Sequence, residues 1–317
     1  MTLTARATQS ARTTQSARTT QSARTTQSAR ATRSARSMRG PERAAAVPWR
    51  APASGSPPER PAGAPALASM CRRVPPRGDR VCPICHGCPH AGYPTCWSCA
   101  TVMTQLRRPC RAVVPISLST IPGELHSVLR RYKDARCPRR RARDTQAVGE
   151  LVARFLRRHE PCLAGGRERF DLLTTVPSSG ERPGPHPLVQ AIRTDPWLAA
   201  RHQELLARGP ARLGHARASD LGFSPSRAVD GARIVLLDDT WTTGARAQSA
   251  ASALQSQGAR VLAIVVVGRL VDPAHSPVTR SWWRDQAALP FDLDRCCHEA
   301  HRHAAGNDGQ RAGWAQE

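Results

Sequence analysis

An α/β fold on a parallel sheet, preceded by a small four-cysteine module and a polar N-terminal tail, is predicted by three features of this 317-residue sequence. Two apolar runs, Ile234 to Leu237 and Val261 to Val267, flank an alanine-rich stretch with helical spacing. Four cysteines stand as two Cys-x-x-Cys pairs separated by ten residues, Cys82-Pro-Ile-Cys85 and Cys96-Trp-Ser-Cys99. The first 69 residues repeat Thr-Gln-Ser-Ala-Arg-Thr and then run into Ala/Pro-rich sequence, with almost no apolar bulk.

The N-terminal repeat sets Arg12, Arg18, Arg24 and Arg30 six apart. Six helical residues turn about 600°, so successive arginines point in three directions and build no amphipathic face. Residues 1–69 are therefore expected to be disordered. Three readings stay open for them: a basic arm touching nucleic acid, an organelle transit peptide, or translated sequence upstream of a start at Met38 or Met70. The missing amphipathic face argues against the second, and the regularity of the repeat favours an inert tail.

The cysteine pairs, within a module spanning residues 70–110, place four thiolates where they can close around one ion. All-sulfur tetrahedral coordination argues for Zn²⁺, and four thiolates leave no open position, so the metal is expected to be structural. His86, Cys88 and His90 lie inside the loop and offer alternative ligands. An odd total of 11 cysteines suits a reducing cytosol better than a disulfide framework. Cys71, Cys110, Cys137, Cys162, Cys296 and Cys297 read as buried or incidental thiols.

The main domain is expected over residues 111–285, with residues 286–317 as a C-terminal tail. Strands are expected near Ala112 to Leu118 and Phe170 to Val176, and helices near Gly123 to Lys133, Ala147 to Arg158 and Trp197 to Ala207. Ile234 to Leu237 is short and wholly apolar, as in the middle of a parallel sheet, and Asp238 and Asp239 are placed at its carboxyl end. Ala247, Ala250, Ala251 and Leu254 then share one face of a helix from Ala245 to Gln257, which Gly258 stops. With the strand Val261 to Val267, the stretch forms a βαβ unit with right-handed crossover. Ligands in such sheets bind outside the carboxyl ends of the strands, where the Thr240 to Gly244 turn lies.

That turn suits an anion. Free N–H groups at a helix start, the Thr242 and Thr243 hydroxyls, and Gly244 allowing close backbone approach form a cradle sized for a phosphate monoester. One step earlier, Asp238 and Asp239 can accept hydrogen bonds from sugar hydroxyls or lie near a metal-bearing part of the ligand. A strand ending in two acids also occurs in receiver-type phosphorylation domains and nucleotide hydrolases. The first needs no Thr-Thr-Gly cradle, and the second calls for a Gly-rich loop with Lys.

Asp238-Asp239-Thr240-Trp241-Thr242-Thr243-Gly244-Ala245-Arg246 resembles the phosphoribosyl-pyrophosphate (PRPP) signature of type I phosphoribosyltransferases. The resemblance implies that fold, with Asp238 and Asp239 holding the ribose hydroxyls and Thr240 to Arg246, Ala245 included, wrapping the 5′-phosphate. Two positions depart from the family pattern: Arg246 stands where Thr is common, and Thr240 where the family is usually aliphatic. A cysteine module in front of such a domain resembles the ComF-type family, bacterial proteins linked to competence for DNA uptake. Leu129-Arg-Arg-Tyr132-Lys133-Asp134, Val176-Pro177 and Arg217 to Phe223 add to that likeness, which covers about residues 82 to 272. By position, Ser178 and Ser179 belong to a pyrophosphate loop, although Pro183, Gly184 and Pro185 equally suit a surface turn. No clean equivalent of the family's basic stretch stands in Pro187 to Ile192.

The resemblance implies PRPP and Mg²⁺ as ligands, a phosphoribosyl acceptor of unidentified chemistry, and single-stranded DNA or the competence machinery as further partners. Transfer of the phosphoribosyl group is one expectation. A non-catalytic PRPP sensor or uptake component is the second, and a zinc- and Arg-rich nucleic-acid binder the third. Residues 1–69 carry 11 Arg and 2 Glu, so +14 of the net +23 stays with the rest of the chain, which suits anionic partners. Arg outnumbers Lys 46 to 1, a bias that a GC-rich genome produces by itself. Aromatic residues make up 4% of the chain and offer few stacking platforms. Trp282 and Trp283 can stack a base or pack under the sheet, the second being favoured. The longest apolar run, Val261 to Gly268, is too short to cross a membrane, and a cytoplasmic location is expected.

Overall fold

The computed structural model describes residues 65–298, apart from residues 91, 165–168, 179 and 181–183. The N-terminal repeat, Ser179 and the end of the chain lie outside the described residues.

In chain order the elements are α1 (Pro65–Ala68), α2 (Trp97–Thr104), β1 (Val113–Thr120), α3 (Glu124–Asp134), α4 (Pro138–Leu163), β2 (Leu172–Thr175), α5 (Pro187–Arg193) and α6 (Pro196–Arg201). They continue with β3 (Leu206–Arg208), β4 (Phe223–Pro225), β5 (Arg233–Trp241), α7 (Ala245–Ser256), β6 (Arg260–Val271) and α8 (Pro277–Ala287). Four strands form a parallel sheet in the order β1-β6-β5-β2, and β3 and β4 form a separate antiparallel pair. The architecture is mixed α/β.

Both faces of the sheet are covered, and strand alternation decides which residue meets which layer. Val114, Ile116, Val235, Leu237, Val265 and Val267 pack with α3, α4 and α5. Their neighbours Val113, Ile234, Leu236, Ile264 and Val266 pack with the alanine face of α7 and with the cysteine module. Ala250, Ala251 and Leu254 are fully buried, as their spacing predicts. Gly258 closes α7 in the left-handed conformation at φ +84°.

Three expectations need correction. Asp238 and Asp239 lie inside β5 and not beyond its end, because β6 is long enough to pair with Thr240 and Trp241 through Gly268 and Arg269. The helix expected over Trp197 to Ala207 stops at Arg201. Asp195 caps its start, accepting from the Trp197 and Leu198 N–H groups at 3.0 Å, and the chain then extends along β2, with Gln203 N–H donating to the Leu173 carbonyl at 2.9 Å. The helix expected over Ala147 to Arg158 runs from Pro138 to Leu163, its arginine-rich first turns being exposed and so lacking apolar periodicity.

The ends of the body also lie further out than composition implies. Leu67 is buried in the α3–α4 core, and Phe291, Leu293, Cys296 and Cys297 pack against it. Trp282 of α8 is buried against Leu118 and Val271 at the ends of β1 and β6, with Trp283 partly buried beside it. No described helix is long and apolar enough to cross a membrane.

Candidate functional site

The carboxyl end of β5 carries the acids, and adjacent residues of a strand face opposite sides of the sheet. Asp239 turns toward α3. Its Oδ2 accepts from the Tyr132 hydroxyl at 2.5 Å and is paired with the Lys133 Nζ at 2.6 Å. Asp238 lies on the α7 side, where its Oδ1 accepts from the Asp239 N–H at 2.9 Å. Burial, then the charge of Asp239, push the Asp238 carboxyl up to about 7, against the smaller pull of Lys133 and Arg246. The two acids thus form an electrostatic couple with unequal roles. Asp239 is committed to internal partners, and Asp238 gains from any ligand that donates hydrogen bonds or positive charge.

The turn that follows is shaped by Trp241. Its indole is almost fully buried, and it runs beneath Gly244, where an added Cβ would lie 2.1 Å from the ring. Gly244 also has φ +80°. A glycine is required here by ring packing and backbone hand together. Gly244 caps α7 without any side-chain cap hydrogen bond, so no side chain of the cap residue covers the first turn of that helix. The Thr243 Oγ1 accepts from the Ala216 N–H at 3.2 Å, fixing the loop before β4, whereas Thr242 is exposed.

Two arginines bring the β2 end to the same region. Arg246 donates to the Pro177 carbonyl and lies 5.7 Å over the Phe223 ring. Burial lowers the Arg246 pKa, and Asp238 raises it. Arg208 donates to the Ser178 carbonyl through Nε at 3.1 Å and Nη2 at 2.5 Å. Ser178 and Arg208 line a cavity of about 270 Å³ with Thr175, Pro177 and His186. Thr242 and Thr243 line a different cavity of about 620 Å³, shared with Trp97, His215, Arg269 and His275. The expected phosphate and pyrophosphate residues therefore border separate hollows, and Arg246 reaches the Pro177 carbonyl beside the first.

The cysteine module closes the second hollow. Cys82, Cys85, Cys96 and Cys99 form a buried group whose sulfurs all lie within 4.8 Å of one another, and it can hold a zinc ion. Cys96 also caps α2, accepting from the Cys99 N–H at 3.4 Å, and its Sγ is 3.7 Å from that of Cys85. His86 is turned away from the group, with its Nδ1 on the Pro75 carbonyl at 2.9 Å. Without a central cation, four sulfurs this close cannot all ionise. Donation by Cys82, Cys96 and Cys99 holds Cys85 well below the usual thiol range, while the nearby Cys82 and Cys85 push Cys96 and Cys99 up. Arg269, buried at the end of β6, reaches this group. An added Cβ on Gly87 would lie 2.9 Å from its Nη2, and its Nη1 is 3.5 Å from the Trp241 carbonyl. One guanidinium thus touches both the thiol module and the turn between β5 and α7.

No family model, no curated protein and no solved structure matches the chain.

Four contributors escape the sequence reading as site residues: Tyr132, Lys133, Arg208 and Arg269. Lys133 carries a signal, being the single lysine beside 46 arginines. Its ammonium stands 2.6 Å from Asp239, a compact point charge on a buried carboxylate partner. Arg208 sits on β3, a three-residue strand with no periodicity to read.

Proposed function

We propose that this chain is a phosphoribosyltransferase-fold protein of the ComF-like kind that binds PRPP with Mg²⁺ and transfers the phosphoribosyl group to or from an acceptor. One observation carries the reading. At the carboxyl edge of a parallel sheet, Asp238 and Asp239 lead through Trp241 to Gly244 into an α7 start that its own cap residue leaves uncovered.

The roles follow from the chemistry of each group. The first-turn amides of α7, with the Thr242 hydroxyl, suit the 5′-phosphate; the Thr243 hydroxyl adds a donor while it accepts from Ala216. Asp238 suits the ribose hydroxyls, whose donation offsets the burial that raises its pKa. Asp239, held by Tyr132 and Lys133 on the opposite face of the same strand, positions Asp238 through its backbone N–H. Arg208 and Arg246 supply positive charge beside the Pro177–Ser178 backbone, where a pyrophosphate leaving group needs it. Mg²⁺ arriving with PRPP would neutralise charge on the departing oxygens. Catalysis of this kind rests on positioning and charge neutralisation, with the acceptor attacking the anomeric carbon as the bond to pyrophosphate breaks.

Release of pyrophosphate from PRPP and Mg²⁺ in the presence of candidate acceptors tests the enzyme reading. Turnover that Arg246→Ala abolishes supports it. PRPP binding with no turnover on any acceptor favours the non-catalytic sensor instead. Binding of single-stranded DNA that falls steeply with salt and survives Asp239→Asn, with no PRPP binding, rejects both.

A further inference from the structure

The end of α4 and the C-terminal segment meet at a second group of metal-type donors. We propose that His159, Cys162 and Cys296 form a second transition-metal site, of the zinc class, separate from the four-cysteine module and independent of the phosphoribosyl reading. One donor atom from each residue lies within 4.8 Å of the others. His159 and Cys162 stand three apart in α4, hence on one helix face, and Cys296 arrives from a segment 134 residues further on.

Three features distinguish the group from thiols that happen to be neighbours. The Cys162 and Cys296 sulfurs are 3.4 Å apart, far beyond a disulfide bond and close to the 3.7 Å between Cys85 and Cys96 in the four-cysteine group. Two sulfurs on one tetrahedral zinc, each at roughly 2.3 Å, are separated by roughly 3.8 Å. The His159 Nε2 lies 2.8 Å from the Leu293 carbonyl, which can only accept, so Nε2 carries a proton and, in the neutral imidazole, Nδ1 is the nitrogen that can bind a metal. A backbone carbonyl holding the far nitrogen is the arrangement that fixes the tautomer of metal-bound histidines. A path in also exists: Cys296 borders a cleft of about 710 Å³ lined by Val74, Ile116 and Phe291.

The sequence adds context. Cys296-Cys297-His298-Glu-Ala-His301-Arg-His303 places five cysteine and histidine residues within eight, a composition common in metal-binding tracts. Two thiolates and one neutral imidazole select zinc or a similar borderline cation over Mg²⁺, and leave a fourth position to water or a further donor. The structural consequence is a tie between α4 and the segment Phe291–Cys297, which packs on the core but belongs to no helix or strand.

Native mass spectrometry of the full reduced chain loaded with Zn²⁺ tests the site. Two zinc ions per chain are expected for the wild type, and one for Cys162→Ser or Cys296→Ser. Cys82→Ser is also expected to retain one, at the second site. Peptide mapping after alkylation of the folded wild type covers the case of a variant that fails to fold. Zn²⁺ should protect Cys162 and Cys296, a chelator should expose them, and the exposed Cys137 should react equally in both states. A single zinc in the wild type overturns the proposal, as does equal alkylation of Cys162 and Cys296 with and without Zn²⁺. So does a Cys162–Cys296 disulfide that persists under reducing conditions.

Discussion

The four-cysteine module and the turn between β5 and α7 lie on either side of one hollow, and they encode their chemistry in opposite ways. In the module, the ligands are contiguous in sequence and identical in kind, so spacing alone fixes what they can hold. At the turn, each group named by the motif takes its character from a partner far away. Asp239 is set by Tyr132 and Lys133, Thr243 by Ala216, and Arg246 by Pro177 and Phe223. A contiguous site survives loss of its surroundings, whereas an assembled one registers every change in them.

The largest effect that sharpens this contrast comes from the module. Cys85→Ser should abolish zinc binding at that group and destabilise the protein by about 3–5 kcal/mol, because the remaining buried thiolates lose the cation they surround and Arg269 loses its Cys85 partner. Metal analysis and thermal unfolding of the same sample check this. If the variant holds as much zinc as the wild type, the four-cysteine assignment is wrong.

At the turn, Gly244→Ala is expected to cost about 2–4 kcal/mol, combining a left-handed backbone with the overlap of its methyl group and the Trp241 ring. Pairing it with Trp241→Leu should recover part of the loss, since the ring is one of the two causes. Strictly additive losses in that double-mutant cycle would remove the ring from the account.

How much of this was legible in the sequence follows the same division. The βαβ unit could be read because Ile234 to Leu237 and Val261 to Val267 are uninterrupted apolar runs and the α7 alanines keep a helical period. The motif displays the acids but not their separation onto two sheet faces. That separation depends on β5 continuing to Trp241, which only the length of β6 decides. The β3–β4 pair left no pattern, being three residues a strand. Its end is held by the Gly209 N–H on the Gly222 carbonyl at 3.0 Å, an approach that only glycine permits, since a Cβ on Gly209 would lie 2.1 Å from the Leu221 carbonyl oxygen. Cys162 and Cys296 read as buried or incidental thiols because 134 residues separate them, so no spacing shows that their sulfurs meet.

Smaller effects probe the division of labour between the acids. Asp239→Asn should lose about 1–3 kcal/mol in chemical unfolding, as Lys133 and Tyr132 lose a charged acceptor that is almost buried. A cost no larger than that of a surface pair would show that the Tyr132–Lys133 clamp does not hold.

Asp238→Asn should act in the other direction. The folded-state pKa of Asp238, about 7, lies above its ordinary 3.8, so the folded protein binds the extra proton between those values. Stability from this group is therefore greatest below about pH 4 and is lost as pH rises toward 7. Replacing the carboxyl should flatten that part of the stability profile and add on the order of 1 kcal/mol at pH 8, after allowance for partial exposure. A variant whose slope between pH 4 and 7 matches the wild type contradicts the assignment.

Calorimetric titration of the full chain with PRPP and Mg²⁺ tests the central claim most directly; a chain beginning at Met70 would lack Leu67, which is buried in the core. The wild type should bind one equivalent with measurable heat, and Asp238→Asn, folded and zinc-loaded, should lose that binding at least tenfold. No heat from the folded wild type, or equal affinity in both proteins, would contradict the assignment of the β5–α7 turn as a sugar-phosphate site.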